Sequence, residues 1–102
     1  MLKKKLAISD LIKECHRVAK SKGWWNDRRN DGELIALMHS ELSEALEAMR
    51  NHDENNNLAE ELADCCIRIF DYCGARSIDL EKALLKKMAY NKTRPFRHGK
   101  KF

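Results

Sequence analysis

Residues 58–75 read LAEELADCCIRIFDYCGA, and this segment limits the fold more than any other. On a helical wheel at about 100° per residue with Glu61 at zero, apolar or thiol side chains fill the arc from about 20° to 240°. Glu60, Glu61, Asp64, Arg68 and Asp71 share the narrow stripe that remains. So wide an apolar surface has to be covered by other helices, and its polar stripe then faces a groove or cavity rather than open water. Carboxylates in such a place need a cation or a dense set of partners, because an unpaired buried charge is costly.

The rest of the chain supplies helices to do the covering. Charged residues make up 35% of the 102, and one Pro with four Gly leaves little punctuation for a many-stranded sheet. An all-α fold in a single domain over 1–102 is expected, large enough for a core but rich in surface. Four helices can be read from the apolar spacing: about 9–22, 31–50, 58–75 and 78–91. Gly23 closes the first, Asp31 caps the second, and Ser77 caps the fourth with Glu81 in its first turn. The polar run NHDENNN separates the second from the third, and residues 95–102 form a basic tail without periodicity. No run of 18 apolar residues is present, which excludes a membrane-spanning helix. The opening MLKKKLAISD is basic, but Asp10 and Glu14 interrupt it, so it does not read as a signal peptide. Cys15, Cys65, Cys66 and Cys73 form no CxxC pair and read as buried, reduced thiols of a cytoplasmic protein, not a zinc site.

A second acidic motif matches the stripe at 58–75. Glu41 and Glu44 stand three residues apart in HSELSEALEAMR, as do Glu61 and Asp64 in the later segment, so each pair projects from one side of its helix. With Glu41 at zero, Leu34, Met38, Leu42, Ala45 and Met49 fall between about 20° and 100°, and Leu37 and Ala48 near 320° and 340°. Glu41 is therefore flanked by apolar side chains. Short connections favour antiparallel helices. Glu44 and Asp64 lie ten residues on either side of Glu54, so a hairpin brings them level, with Glu41 and Glu61 within about a turn. Four convergent carboxylates suit a hard divalent cation, Mg²⁺ or Mn²⁺. Neither Glu-x-x-His nor HExxH is present, which argues against di-iron and zinc chemistry. A plainer reading stays open: two solvated acidic edges and an Arg68–Asp71 ion pair.

Glu-x-x-Glu on one helix followed by Glu-x-x-Asp on the next resembles the MazG-like all-α nucleoside triphosphate pyrophosphohydrolases. The resemblance runs from about 16 to 91 and is strongest in ELSEALEAMR and EELADCCIRIFDY. It implies hydrolysis of NTP or dNTP to monophosphate and pyrophosphate, with Glu41, Glu44, Glu61 and Asp64 as both metal ligands and catalytic groups. KMAYN resembles the family segment that approaches phosphate, which implies phosphate contacts from Lys87 and Asn91, and from Arg94 beyond them. His16, Trp25 and Glu41 reproduce the spacing of members that cleave deoxycytidine triphosphates, which implies base contacts from His16 and Trp25. The alternative for Trp24 and Trp25 is packing at the corner between helices. The family also implies homo-dimers or homo-tetramers whose neighbouring helices complete the bundle. The short gap between the acidic motifs and the RPFRHGKKF tail depart from the family pattern.

Charge distribution sets out the competing class. Residues 82–102 carry eight Lys or Arg and no acid, whereas the first 81 carry twelve basic and sixteen acidic groups. Such an end could fold over an anionic ligand or bind nucleic acid. No stacking platform or DNA-reading element accompanies it, so a basic nucleic-acid or partner-binding module is the weaker reading. Phosphoribosyl-ATP in place of a nucleotide is the remaining alternative substrate.

Overall fold

The computed structural model describes residues 6–51 and 58–102. Four helices follow in order: α1 (Ile8–Ser21), α2 (Asp31–Arg50), α3 (Leu58–Ala75) and α4 (Leu80–Lys92), then a short 3₁₀ turn at Phe96–Gly99. No strand occurs among the described residues. The all-α expectation holds, and α2 and α3 begin and end where the periodicity puts them. Residues 1–5 and 52–57, which include the basic opening and the centre of the polar break at Glu54, lie outside the described residues.

The helix ends show how local chemistry sets the corners. After α1, Gly23 takes φ 89°, a left-handed conformation that costs glycine little. Trp24 N–H then donates to Ala19 O at 3.1 Å and Gly23 N–H to Lys20 O at 3.1 Å. This paired closure turns the chain sharply and launches the Trp24–Trp25 corner. The cap of α2 is Asn30, whose Oδ1 accepts from Glu33 N–H at 2.7 Å. Asp31 is instead the first helical residue, and Arg76 Nε donates to it at 2.7 Å. Ser77 does not cap α4. It takes φ 54° to close α3, with Ile78 N–H donating back to Cys73 O at 2.9 Å. Asp79 is left to cap α4, accepting from Lys82 N–H at 3.0 Å, so that helix starts two residues later than the spacing predicts.

α3 is the central element, with α1 packed on one side and α2 on the other, while α4 touches α1. Asp31–Arg76 and Glu41–Arg68 contacts run in opposite chain directions, so α2 and α3 are the antiparallel pair expected. Gly74 brings α1 and α3 close: a Cβ there would stand 2.7 Å from His16 Cβ, below any normal contact. Among the described residues the buried apolar core is small, consisting of Ile12, Leu34, Ala45, Cys65 and Cys73. α3 is less covered than its composition demands. Only Cys65 and Cys73 are buried in it, while Leu58, Leu62 and Ile67 stay exposed. Two flanking helices cannot wrap an apolar arc of more than half a turn. Cys66 is also exposed, against the expectation of buried thiols. The radius of gyration is 16.3 Å, against about 13 Å for a compact domain of this length.

Candidate functional site

Glu41 on α2 and Glu61 and Asp64 on α3 converge, with one oxygen from each lying within 4.8 Å of the others. Antiparallel packing of α2 on α3 brings them together, since Met38 and Glu41 face Cys65 and Arg68 at this level. Glu41 is only 8% exposed, Glu61 is half-buried and Asp64 is exposed. Three carboxylate oxygens this close together could hold a hard divalent cation such as Mg²⁺. An all-oxygen donor set of this kind fits a hard divalent ion better than a thiophilic one.

Electrostatics within the cluster are strained in the direction a cation would relieve. The Glu61 carboxyl is held above its ordinary range, first by lost hydration and then by the negative charges of Glu44, Asp64, Glu41 and Glu60. Glu44 stands close enough to act on Glu61 but is not one of the three convergent residues. Arg68 Nε donates to Glu41 Oε1 at 2.6 Å and supplies the buried carboxylate with a partner. The Arg68–Asp71 ion pair of the plainer alternative does not form, because Arg68 reaches across to Glu41 on α2 and Asp71 turns to His16 on α1.

A raised carboxyl pKa makes the native state bind a proton more tightly than the unfolded chain, so stability falls as pH rises through the carboxylate range. Without divalent ions, Glu61→Gln is expected to raise the melting temperature at neutral pH and to flatten the decline between about pH 4 and 6. Thermal denaturation in chelator, with and without added Mg²⁺, checks this. A lower melting temperature for the variant in chelator would contradict it.

A cavity of about 390 Å³ opens beside the cluster, within the usual range for small-molecule sites. α1 lines it with Glu14, Cys15, Val18, Ala19 and Lys22, and α3 with Asp64, Ile67, Arg68 and Asp71. Glu41 enters from α2, and Trp24 and Arg29 from the corner. Acids, cations, an aliphatic strip and one exposed indole thus share one concavity. The Cys15 thiol is pushed up by burial and by the charges of Asp71 and Glu14, the wrong direction for a nucleophile.

The two tryptophans have divided roles. Trp25 Nε1 donates to Asp71 Oδ1 at 2.8 Å and Oδ2 at 3.1 Å, and His16 Nδ1 lies 2.8 Å from Asp71 Oδ1. Trp25 also lies edge-on to His16 with ring centres 5.5 Å apart, and Arg29 and Arg76 stand 5.5 and 5.6 Å from its ring. His16 and Trp25 thus meet each other beside the cavity. Trp24, 60% exposed, is the indole that lines it.

Lys87, Asn91 and Arg94 sit elsewhere. Lys87 Nζ is 4.9 Å and the Arg94 guanidinium 5.4 Å from the Tyr90 ring, forming one basic cluster with an aromatic centre. No residue of α4 lines the cavity. Lys22, Trp24, Arg29 and Arg68 join the site only through the fold, since no spacing in the sequence marks them as site residues. Arg68 was legible in the polar stripe of α3, but its partner depends on the packing of α2. Which of two adjacent tryptophans faces inward depends on the turn at Gly23. The chain matches no protein-family model, no curated protein and no solved structure.

Proposed function

We propose that the protein is a Mg²⁺-dependent pyrophosphohydrolase that splits nucleoside or deoxynucleoside triphosphates into monophosphate and pyrophosphate. The observation that carries this reading is the convergence of Glu41, Glu61 and Asp64 at the edge of a cavity holding an exposed indole and three cations. The resemblance of the two acidic motifs to the MazG-like pattern points the same way.

In this reading Glu41, Glu61 and Asp64 hold the metal, with Glu44 as the neighbouring fourth carboxylate. An ion held there, Mg²⁺ or Mn²⁺ as a substitute, would supply positive charge against the triphosphate oxygens. Arg68 holds Glu41 in place and adds positive charge beside the phosphates, as do Lys22 and Arg29. A carboxylate not consumed by ligation takes the proton of a water whose oxygen attacks the α-phosphorus. The bond from that phosphorus to the bridging oxygen breaks, and pyrophosphate leaves. Val18, Ala19 and Ile67 line the cavity beside these polar groups and give it an apolar strip.

Lys87, Asn91 and Arg94 reach phosphate in this reading only from a second copy, because their own helix lies outside the cavity. A homo-oligomer is thus part of the proposal. The test is pyrophosphate release from a panel of NTPs, dNTPs and phosphoribosyl-ATP with Mg²⁺ and with chelator. Absence of turnover on the whole panel would sink it. Strongly salt-dependent nucleic-acid binding, indifferent to Mg²⁺ and to Glu41, would favour the basic module instead.

A further inference from the structure

The corner between α1 and α2 is tied down by one side chain. Asp71 on α3 is half-buried and accepts from Trp25 Nε1, and its Oδ1 lies 2.8 Å from His16 Nδ1. A carboxylate is acceptor-only when ionised, so it holds two N–H groups, one from α1 and one from the corner, against the central helix. Gly74, one turn further on, lets His16 come near enough to take part. Trp25 is the anchored face of the corner, and Trp24 with Arg29, whose guanidinium is 6.0 Å from the Trp24 ring, is the face turned to the cavity.

Asp71 also shares a helix with the acidic cluster. It lies seven residues after Asp64, about 10 Å along α3, on the same polar stripe. One helix therefore carries Glu61 and Asp64 of the cluster and, two turns on, the anchor of the corner that holds Trp24 and Arg29. A planar indole beside a guanidinium and an aliphatic strip suits a heterocyclic base, while the acids and cations suit its phosphates.

We propose that Asp71 is the positioning residue for base recognition: by holding His16 and Trp25 it sets Trp24 and Arg29 in the wall of the cavity that Glu41 and Asp64 also line. The inference rests on the triphosphate reading above and adds to it which wall meets the base. Asp71 itself leaves the chemical step to the cluster. Loss of the anchor weakens substrate binding and spares turnover at saturation, since the wall is lost equally to ground state and transition state.

The experiment compares Asp71→Ala, Asp71→Asn and Trp24→Ala with wild type on the triphosphate that wild type cleaves best. Asp71→Ala and Trp24→Ala are expected to raise KM by about tenfold or more with kcat within about threefold. Asn keeps one acceptor oxygen and is expected to recover part of the loss. In ligand-free protein, Asp71→Ala in a Trp24→Phe background should shift the remaining indole emission to the red as Trp25 leaves its anchor. Equal loss of kcat without a change in KM would place Asp71 in the chemistry and overturn the proposal. Red-shifted emission with unchanged KM would make Asp71 a purely structural acceptor and also overturn it. Should Asp71→Ala fail to fold, the Asn variant and Trp24→Ala carry the measurement. No turnover by wild type overturns both readings, whereas wild-type turnover with an unaltered KM in these variants overturns this one alone.

Discussion

Asp64→Asn is expected to lower pyrophosphate release by about 10²-fold to 10³-fold while leaving the helical content unchanged. Asp64 is exposed in the middle of α3, so its charge can be removed with little disturbance to packing. Glu41→Gln is expected to cost at least as much activity but is the less clean test. Glu41 is buried and accepts from Arg68 at 2.6 Å, and glutamine keeps an oxygen for that contact while losing the charge that matches the guanidinium. Both variants should need more Mg²⁺ for half-maximal activity, and chelation should silence wild type. The ratio of kcat values and the Mg²⁺ dependence are read in one pyrophosphate-release assay, with far-UV dichroism to check folding. Wild-type turnover by Asp64→Asn would remove it from the proposed site.

The acids could be nominated from sequence because they sit where a helix of this kind ought not to carry them. Glu41 lies among Leu34, Met38 and Ala45, and the wheel predicts the burial that is observed. Hairpin geometry then predicts the meeting of α2 and α3, which Glu41–Arg68 and Asp31–Arg76 make visible. What remained hidden depends on tertiary contacts with no local signature. Asp71 faces α1 because Gly74 permits close approach there, and its partners are 46 and 55 residues away. Ser77 looks like a cap but is consumed in closing α3, a choice made by one φ angle. Lys87, Asn91 and Arg94 show the same limit, because a motif does not say whether its own chain or another brings it to a site.

Substituting both Leu42→Glu and Leu46→Glu is expected to convert a self-associating wild type into monomer and to lower its melting temperature. The apolar sector of α2 is wider than one neighbouring helix can cover. Leu34 and Ala45, within about 40° of Glu41 on the wheel, pack inward and are buried. Ile35, Leu42, Leu46 and Met49 lie farther round within one stripe and remain 42–54% exposed. With Leu58 and Leu62 of α3 also exposed, the uncovered aliphatic area is on the order of 500 Å², at the upper end of what monomers leave in one patch. A second copy offers the same stripe to itself, the self-complementary arrangement of a two-fold dimer. Two glutamates set into such an interface would face their own symmetry mates across a dry contact, where like charges repel most strongly. Light scattering after gel filtration checks the result as multiples of 11.9 kDa. A monomeric wild type at tens of micromolar, or an unchanged mass for the double variant, would refute it. Neither leucine lines the cavity, so activity that falls with dissociation means a group essential to turnover comes from the partner. The Lys87–Tyr90–Arg94 cluster at the C-terminal end of α4 and just beyond it, outside the cavity of its own chain, is the first place to look for that group.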